Sequence, residues 1–249
     1  CEYADEDSDG GYPCRIALTL RVRDGDLELD YTGSDPQLSA SLNMPTGGRP
    51  RHVLAMVGLG YILYSLDNNL MLNFGVLRVA RAVLPAGTVV NAVMPAAVGM
   101  RSLTCVLTQG ATFGAFAMAA PDRLPASPGG GGGIMNIKTL DRHGRTVMAS
   151  LGAIGGGAGG MPWADGSDGW GANSSFLRNT PIEISEAEVP VRFLRYGLED
   201  DTAGPGRWRG GTANAMEFEV FTPQTIVTAR NRNRTTFACW GLKGGKAGG

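Results

Sequence analysis

Ile16-Ala17-Leu18-Thr19-Leu20-Arg21-Val22-Arg23-Asp24-Gly25-Asp26-Leu27-Glu28-Leu29-Asp30-Tyr31 decides what kind of fold this chain builds. Ile16, Leu18, Leu20 and Val22 recur every second residue, as do Leu27, Leu29 and Tyr31, which is the period of a strand with one buried face. Asp24-Gly25 stands between the two runs and supplies the positive φ angles of a type I′ turn. The stretch therefore reads as a β-hairpin. Thr32-Gly33-Ser34-Asp35-Pro36 follows as a loop by composition.

Working outward, a helix is expected over residues 51–66. Val53, Met56, Val57, Gly60, Tyr61 and Tyr64 fall on one face at helical spacing. Strands are expected at residues 76–83 and 88–93, and a second, small-residue-rich helix at 100–119. Five glycines, Gly129 to Gly133, precede another hairpin with arms 134–140 and 145–151. Residues 155–179 read as the longest irregular stretch, with Glu183, Glu186 and Glu188 on a strand beyond it. Further strands are expected at 191–196, 213–221 and 225–229. Strands joined by hairpins, with two inserted helices and long glycine-rich loops, predict an α+β fold, β-rich and largely antiparallel. A domain boundary is expected at residues 121–133.

Composition narrows the function classes. The 249 residues are 43% hydrophobic and 18% charged, with a formal net charge of −1. A near-neutral chain with dispersed Lys and Arg gives no electrostatic case for nucleic acid or an anionic membrane. No apolar run reaches the roughly 20 residues of a bilayer span, since residues 53–66 are short and interrupted by Gly58 and Gly60. Cys1, Cys14, Cys105 and Cys239 lack metal or disulfide spacing and fit reduced thiols in the cytoplasm. The 38 glycines, about twice the usual share of ~7%, imply many tight turns or close backbone approaches. The acidic start and the Gly248-Gly249 stop suggest a segment of a longer polypeptide.

Tested one at a time, the catalytic motifs fail. Gly155, Gly157 and Gly160 satisfy GxGxxG, but Met161-Pro162-Trp163 cannot open the helix that a dinucleotide site needs. Gly244-Gly245-Lys246 lacks the Ser or Thr of a Walker A loop. His52, at a helix start, and His143, in a hairpin turn, are the two histidines, so no metal site is read in this chain. No GxSxG elbow or nucleophilic triad is present. Asp165 and Asp168 have the spacing of oxygen donors or of Asp-Gly turns. In residues 200–211, Arg207 or Arg209 either pairs with Asp200 or Asp201 to lock a glycine turn, or reaches a ligand carboxylate or phosphate.

In order, these weak motifs become specific. Asp30-Tyr31-Thr32-Gly33-Ser34-Asp35-Pro36-Gln37 resembles the D-[FY]-[ST]-G-[ST]-x-[PA]-Q segment of the hydantoinase B/oxoprolinase family. Leu42-Asn43-Met44-Pro45 and Asn73-Phe74-Gly75 resemble its next segments. Leu84-Pro85-Ala86-Gly87-Thr88 with Pro95-Ala96-Ala97-Val98 resembles its P-x-G-[ST]…P-x-x-V signature. Gly156, Gly157 and Gly159 with Asp165-Gly166 are similar to its G-G-x-G…D-G loop. Pro181-Ile182-Glu183 with Glu186 is similar to P-[VI]-E-x-x-E, and the run from Asp201 through Gly204, Gly206, Arg209, Gly210 and Gly211 to D-S-x-G-x-G-x-x-R-G-G. Gly241-Leu242-Lys243-Gly244-Gly245 also has a counterpart. Thr202 departs from the family's Ser.

The resemblance implies a subunit of an ATP-dependent cyclic amide hydrolase acting on a hydantoin, lactam or 5-oxoproline-type ring. It also implies a divalent metal, Zn or Mn, held in an N-terminal half that precedes this segment, and ATP with Mg bound by a hydantoinase A-like partner. The alternatives are an acetone- or acetophenone-type ketone carboxylase subunit of the same family and, in a different class, a noncatalytic assembly subunit. Asn43, Asn73, Asp165, Asp168, Asp201, Arg207 and Arg209 are then the candidate substrate-lining residues. Gly33, Gly156, Gly157, Gly159, Gly204, Gly206, Gly210 and Gly211 are the candidate structural loop positions.

Overall fold

The computed structural model describes residues 2–4, 13–71, 73–130, 133–169, 179–230 and 238–248. Cys1, the acidic run from Asp5 to Asp9, Gly131, Gly132 and the second half of the 155–179 stretch lie outside them. The chain divides into two compact units, Cys1–Ser127 and Pro128–Gly249.

In the first unit β1 (Glu2–Ala4) pairs antiparallel with β2 (Cys14–Ile16). The opening hairpin forms β3 (Thr19–Arg23) and β4 (Asp26–Asp30), closed by Arg23 opposite Asp26. Asp24 and Gly25 take φ 49° and 86°, as a type I′ turn demands. A third strand, β5 (Ala80–Val83), lies parallel to β4, so among the described strands one crossover unit sits beside otherwise antiparallel pairings. The expected strand 76–83 is thus half its length. Asn73 Oδ1 accepts from the Gly75 amide at 2.8 Å and starts a 3-10 helix at Phe74–Val79, leaving only the last four residues extended.

Helix α1 (Val53–Leu66) is capped by His52, whose Nδ1 accepts from the Leu54 amide at 3.3 Å. Its buried face is Ala55, Met56, Gly58, Leu59 and Ile62. This corrects the expected stripe: Val53, Tyr61 and Tyr64 point outward. Apolar residues run almost around α1, so periodicity did not single out a face. Gly58 does: a Cβ there would lie 2.9 Å from Thr112 Cβ, so α2 (Arg101–Ala119) approaches on that side. By length and composition α2 is apolar enough to cross a membrane, yet half of its apolar window is buried as a core helix. It carries polar residues inward. Thr108 donates to Leu54 O at 3.1 Å and Thr112 to Thr108 O at 2.8 Å.

Residues 88–93 are not a strand. Asn91 donates from Nδ2 to Leu84 O at 2.8 Å and accepts from the Gly48 amide at 2.9 Å, holding a turned backbone. Val89 and Val90 plug the core formed by Ile16, Leu29, Tyr31, Met56, Leu59, Leu103 and Leu107.

The second unit holds β6 (Gly133–Leu140), β7 (Thr146–Ile154) and β10 (Ile226–Arg230) in an antiparallel sheet of order β10-β6-β7. Asp141 closes the β6–β7 turn by accepting from the His143 and Arg145 amides at 2.8 and 2.9 Å. Its carboxyl is drawn down to about 2, first by the Arg145 amide. The exposed His143 belongs to this turn. β8 (Val191–Leu198) and β9 (Asn214–Val220) form a separate antiparallel pair. Glu183, Glu186 and Glu188 lie on α3 (Ile182–Glu188), not on a strand. Pro181 at its N-cap and Glu183 in its first turn suit a helix start. Glu186 reaches back to accept from the Phe193 amide at 2.7 Å. Ile137, Leu151, Val189, Val191 and Phe193 form this unit's smaller core.

Candidate functional site

The first unit's candidate residues are committed to its own backbone. Asn43 is fully buried; its Oδ1 accepts from Leu38 N at 2.8 Å and its Nδ2 donates to Leu38, Ala40 and Ala97 carbonyls at 2.8–3.0 Å. That commits both ends of its amide to holding residues 38–43 against 97. Asn73 is exposed and caps the 3-10 helix. The segment around Gly33 is a structural hub. Tyr31 donates to Ala55 O at 2.7 Å, Asp35 accepts from Arg15 N at 2.7 Å, and Gln37 Oε1 accepts from Val93 N at 2.7 Å. Gly33 itself takes φ 96°, which a side chain would strain.

The second unit brings four glycine-bearing segments together. Residues 155–169, which follow β7, and residues 199–213, between β8 and β9, exchange backbone hydrogen bonds along their length. Gly166 N donates to Arg209 O at 2.8 Å, Gly169 N to Thr212 O at 2.6 Å, Gly211 N to Ala158 O at 2.8 Å and Asn214 N to Gly155 O at 2.9 Å. Gly129 N donates to Gly157 O at 2.8 Å, and Lys246 N to Pro205 O at 2.9 Å, which ties in residues 241–248. Glycine is required because these backbones lie closer than side chains permit. A Cβ on Gly157 would meet the Gly211 carbonyl, one on Gly211 the Ser167 carbonyl, and one on Gly166 the Ala158 carbonyl. On Gly156 it would lie 2.8 Å from Gly129 Cα, and on Gly204 2.8 Å from Lys246 O. Gly206 and Gly210 are less crowded, with nearest atoms at 3.2 Å, and Gly159 is buried.

Side chains pin the layers. Arg209 Nη1 and Nη2 donate to the two oxygens of Asp168 at 2.8 and 3.2 Å, a bidentate pair. Asp168 Oδ1 also accepts from the Thr212 amide at 2.8 Å and the Thr212 hydroxyl at 2.9 Å. Asp165 Oδ1 accepts from the Arg209 amide at 2.9 Å, and its Oδ2 lies 3.8 Å from Arg209 Nε. The lock on Arg209 is therefore made across two loops, with Asp165 and Asp168 rather than with Asp200 or Asp201. Thr202 explains its own departure from Ser: its hydroxyl donates to Glu199 O and accepts from Ala213 N, both at 2.8 Å, a task either hydroxyl residue performs.

Three candidates remain at the surface. Asp201 is exposed in the left-handed region at φ 61°. Arg207 stacks over Trp208, 6.0 Å from the ring centroid, and has no carboxylate partner among the described residues. Asp165 keeps half of its side chain exposed. Thr212 was not among the sequence candidates, and Gly129 and Gly166 figured there only as members of glycine motifs; a hydroxyl one residue after the Gly210-Gly211 pair was the available signal for Thr212.

The Arg209 guanidinium, then the Thr212 amide and hydroxyl, hold the Asp168 carboxyl far below the usual carboxylate range. Asp168 is therefore ionised near neutral pH and a poor proton acceptor there. Among the described residues no group of three His, Cys, Asp or Glu side chains comes together to hold a metal ion. What this arrangement offers is a rigid backbone platform with Arg207, Trp208 and Asp165 at its edge.

The chain matches the Hydantoinase B/oxoprolinase family over residues 1–249. It belongs to that family. It is 27% identical over 248 residues to a putative D-/L-hydantoinase B-type subunit of Pseudomonas sp. strain NS671, covering 99% of this chain and 41% of the relative. Its structure is similar to the ATP-dependent caprolactamase of Pseudomonas jessenii, with TM-score 0.71 and 26% identity over 88% of this chain and 39% of that one. It also shares the fold of an acetone carboxylase, with TM-score 0.67 and 18% identity over 87% of this chain and 29% of that one. The chain thus spans about two fifths of the hydantoinase relative it matches.

Proposed function

We propose that this chain is part of the hydrolytic subunit of an ATP-dependent enzyme that opens a cyclic amide of the hydantoin, lactam or 5-oxoproline type. The observation that carries this reading is the family match along all 249 residues, joined to the fold likeness to a caprolactamase. In this reading ATP with Mg is used by a hydantoinase A-like partner, in the cytoplasm. The hydrolytic metal, Zn or Mn, is supplied from outside the described residues, which hold no ligand set for it. A bound divalent ion would lower the pKa of a water toward neutrality. This chain's own contribution is positional: the Asp168–Arg209–Thr212 clamp fixes the glycine loops. Arg207, Trp208 and Asp165 then face a small polar ring.

The test is made on the subunit assembled with its partner. Incubation with ATP and a hydantoin, a lactam or 5-oxoproline should give the ring-opened acid with stoichiometric loss of ATP. Turnover only with ATP, bicarbonate and a ketone would replace this reading with the carboxylase. No turnover with any of them, in an intact complex, would leave an assembly role.

A further inference from the structure

The first unit carries a second concentration of charge, on elements other than the glycine loops. A groove of about 620 Å³ runs along the β3–β4 turn and the 3-10 helix, and five arginines line it: Arg21, Arg23, Arg51, Arg78 and Arg81. They come from three stretches of the sequence, residues 21–23, 51 and 78–81, so the fold has gathered them. Three carboxylates, Asp24, Asp26 and Glu28, share the lining. Glu28 is already consumed. Its Oε1 takes Arg21 at 2.8 Å and its Oε2 takes Arg81 at 2.6 Å, while Arg21 also reaches Asp30 at 2.7 Å.

That leaves Arg23, Arg51 and Arg78 without an ion pair among the described residues, around one concavity. With Asp24 and Asp26 the remaining acids of the lining, guanidiniums still outnumber carboxylates there, and a guanidinium fork is shaped for two oxygens of one anion. We propose that this groove binds a small phosphate-type oxyanion, either inorganic or as the phosphoryl group of an ester. Arg51 and Arg78 supply forked contacts, and Arg23 supplies a third positive charge. The Arg21–Glu28–Arg81 ladder forms the floor and keeps β3, β4 and β5 in register. A tetrahedral dianion fits better than a monocarboxylate because it has enough oxygens to engage more than one fork.

The site does not depend on the hydrolase reading, and its test is independent of turnover. The full chain is titrated calorimetrically with pyrophosphate, inorganic phosphate and phenyl phosphate at constant ionic strength. Saturable binding is expected, and Arg51→Ala or Arg78→Ala should each weaken it about tenfold. Arg192→Ala, at an exposed arginine of the second unit, should leave it unchanged. Preference for phenyl phosphate over the inorganic ions identifies an ester as the ligand, and the reverse order identifies free phosphate. Absence of saturable binding overturns the proposal. So does equal weakening by Arg192→Ala, which would reveal nonspecific attraction to surface charge. Circular dichroism of the Arg51 and Arg78 variants separates lost binding from lost folding, and Arg78→Lys should recover part of the affinity.

Discussion

The two units hold themselves together in different ways. In the first, helices α1 and α2 and the β3–β4–β5 sheet bury a large apolar cluster, and polar side chains such as Asn43 and Asn91 fasten the loops over it. In the second, a much smaller cluster lies beneath two sheets, and the glycine loops are joined backbone to backbone. Side-chain volume stabilises one unit. In the loops of the other the absence of side chains is the requirement, with Asp168, Arg209 and Thr212 adding direction. Loops whose backbone amides and carbonyls are already paired to one another have little freedom to rearrange.

The largest effect that would test this contrast is at Gly157. Gly157→Ala places a methyl on the Gly211 carbonyl and should destabilise the protein by more than about 4 kcal/mol, or prevent the second unit from folding. Normal stability in chemical denaturation would mean that the loops are not closely layered. Leu103→Ala in α2, where Leu103 is 1% exposed, should cost about 2–5 kcal/mol in the same measurement. A smaller loss would show that the first unit is not held by its core. Thr202→Val removes a bridging hydroxyl and should cost about 1–2 kcal/mol, whereas Thr202→Ser should change stability by less than about 0.5 kcal/mol. Equal effects would deny the hydroxyl its role.

The clamp also has a pH signature. Asp168 has a lower pKa folded than unfolded, so its contribution is fully present above the unfolded value of about 3.9. It is lost as pH falls from there toward the folded value. Denaturation of the wild type between pH 5 and pH 3 should therefore show a loss of stability that is smaller in Asp168→Asn.

Much of the fold was legible, for reasons visible in particular residues. Alternation around Asp24-Gly25 and Asp141 to Gly144 defined both hairpins, because strand period and turn chemistry agreed. Where the reading failed, a side chain overrode a local pattern. Asn73 wound the expected strand start into a 3-10 helix, Asn91 turned residues 88–93, and Pro181 with Glu183 opened a helix where a strand was expected. The outward face of α1 was misread because the helix is apolar nearly all round. The Arg209 lock was legible in kind, as an acid–arginine pair near glycines. Its partners, more than 40 residues away in sequence, were not, since nothing local links Asp168 to Arg209.

The most direct test of the layered-loop account is amide hydrogen exchange on the Asp168→Asn protein against wild type. The account predicts about tenfold faster exchange at Gly166, Gly169 and Thr212, whose amides lie in the clamped layers, with α1 and α2 unchanged. Unchanged exchange at those three amides, or equal acceleration in both units, would contradict it.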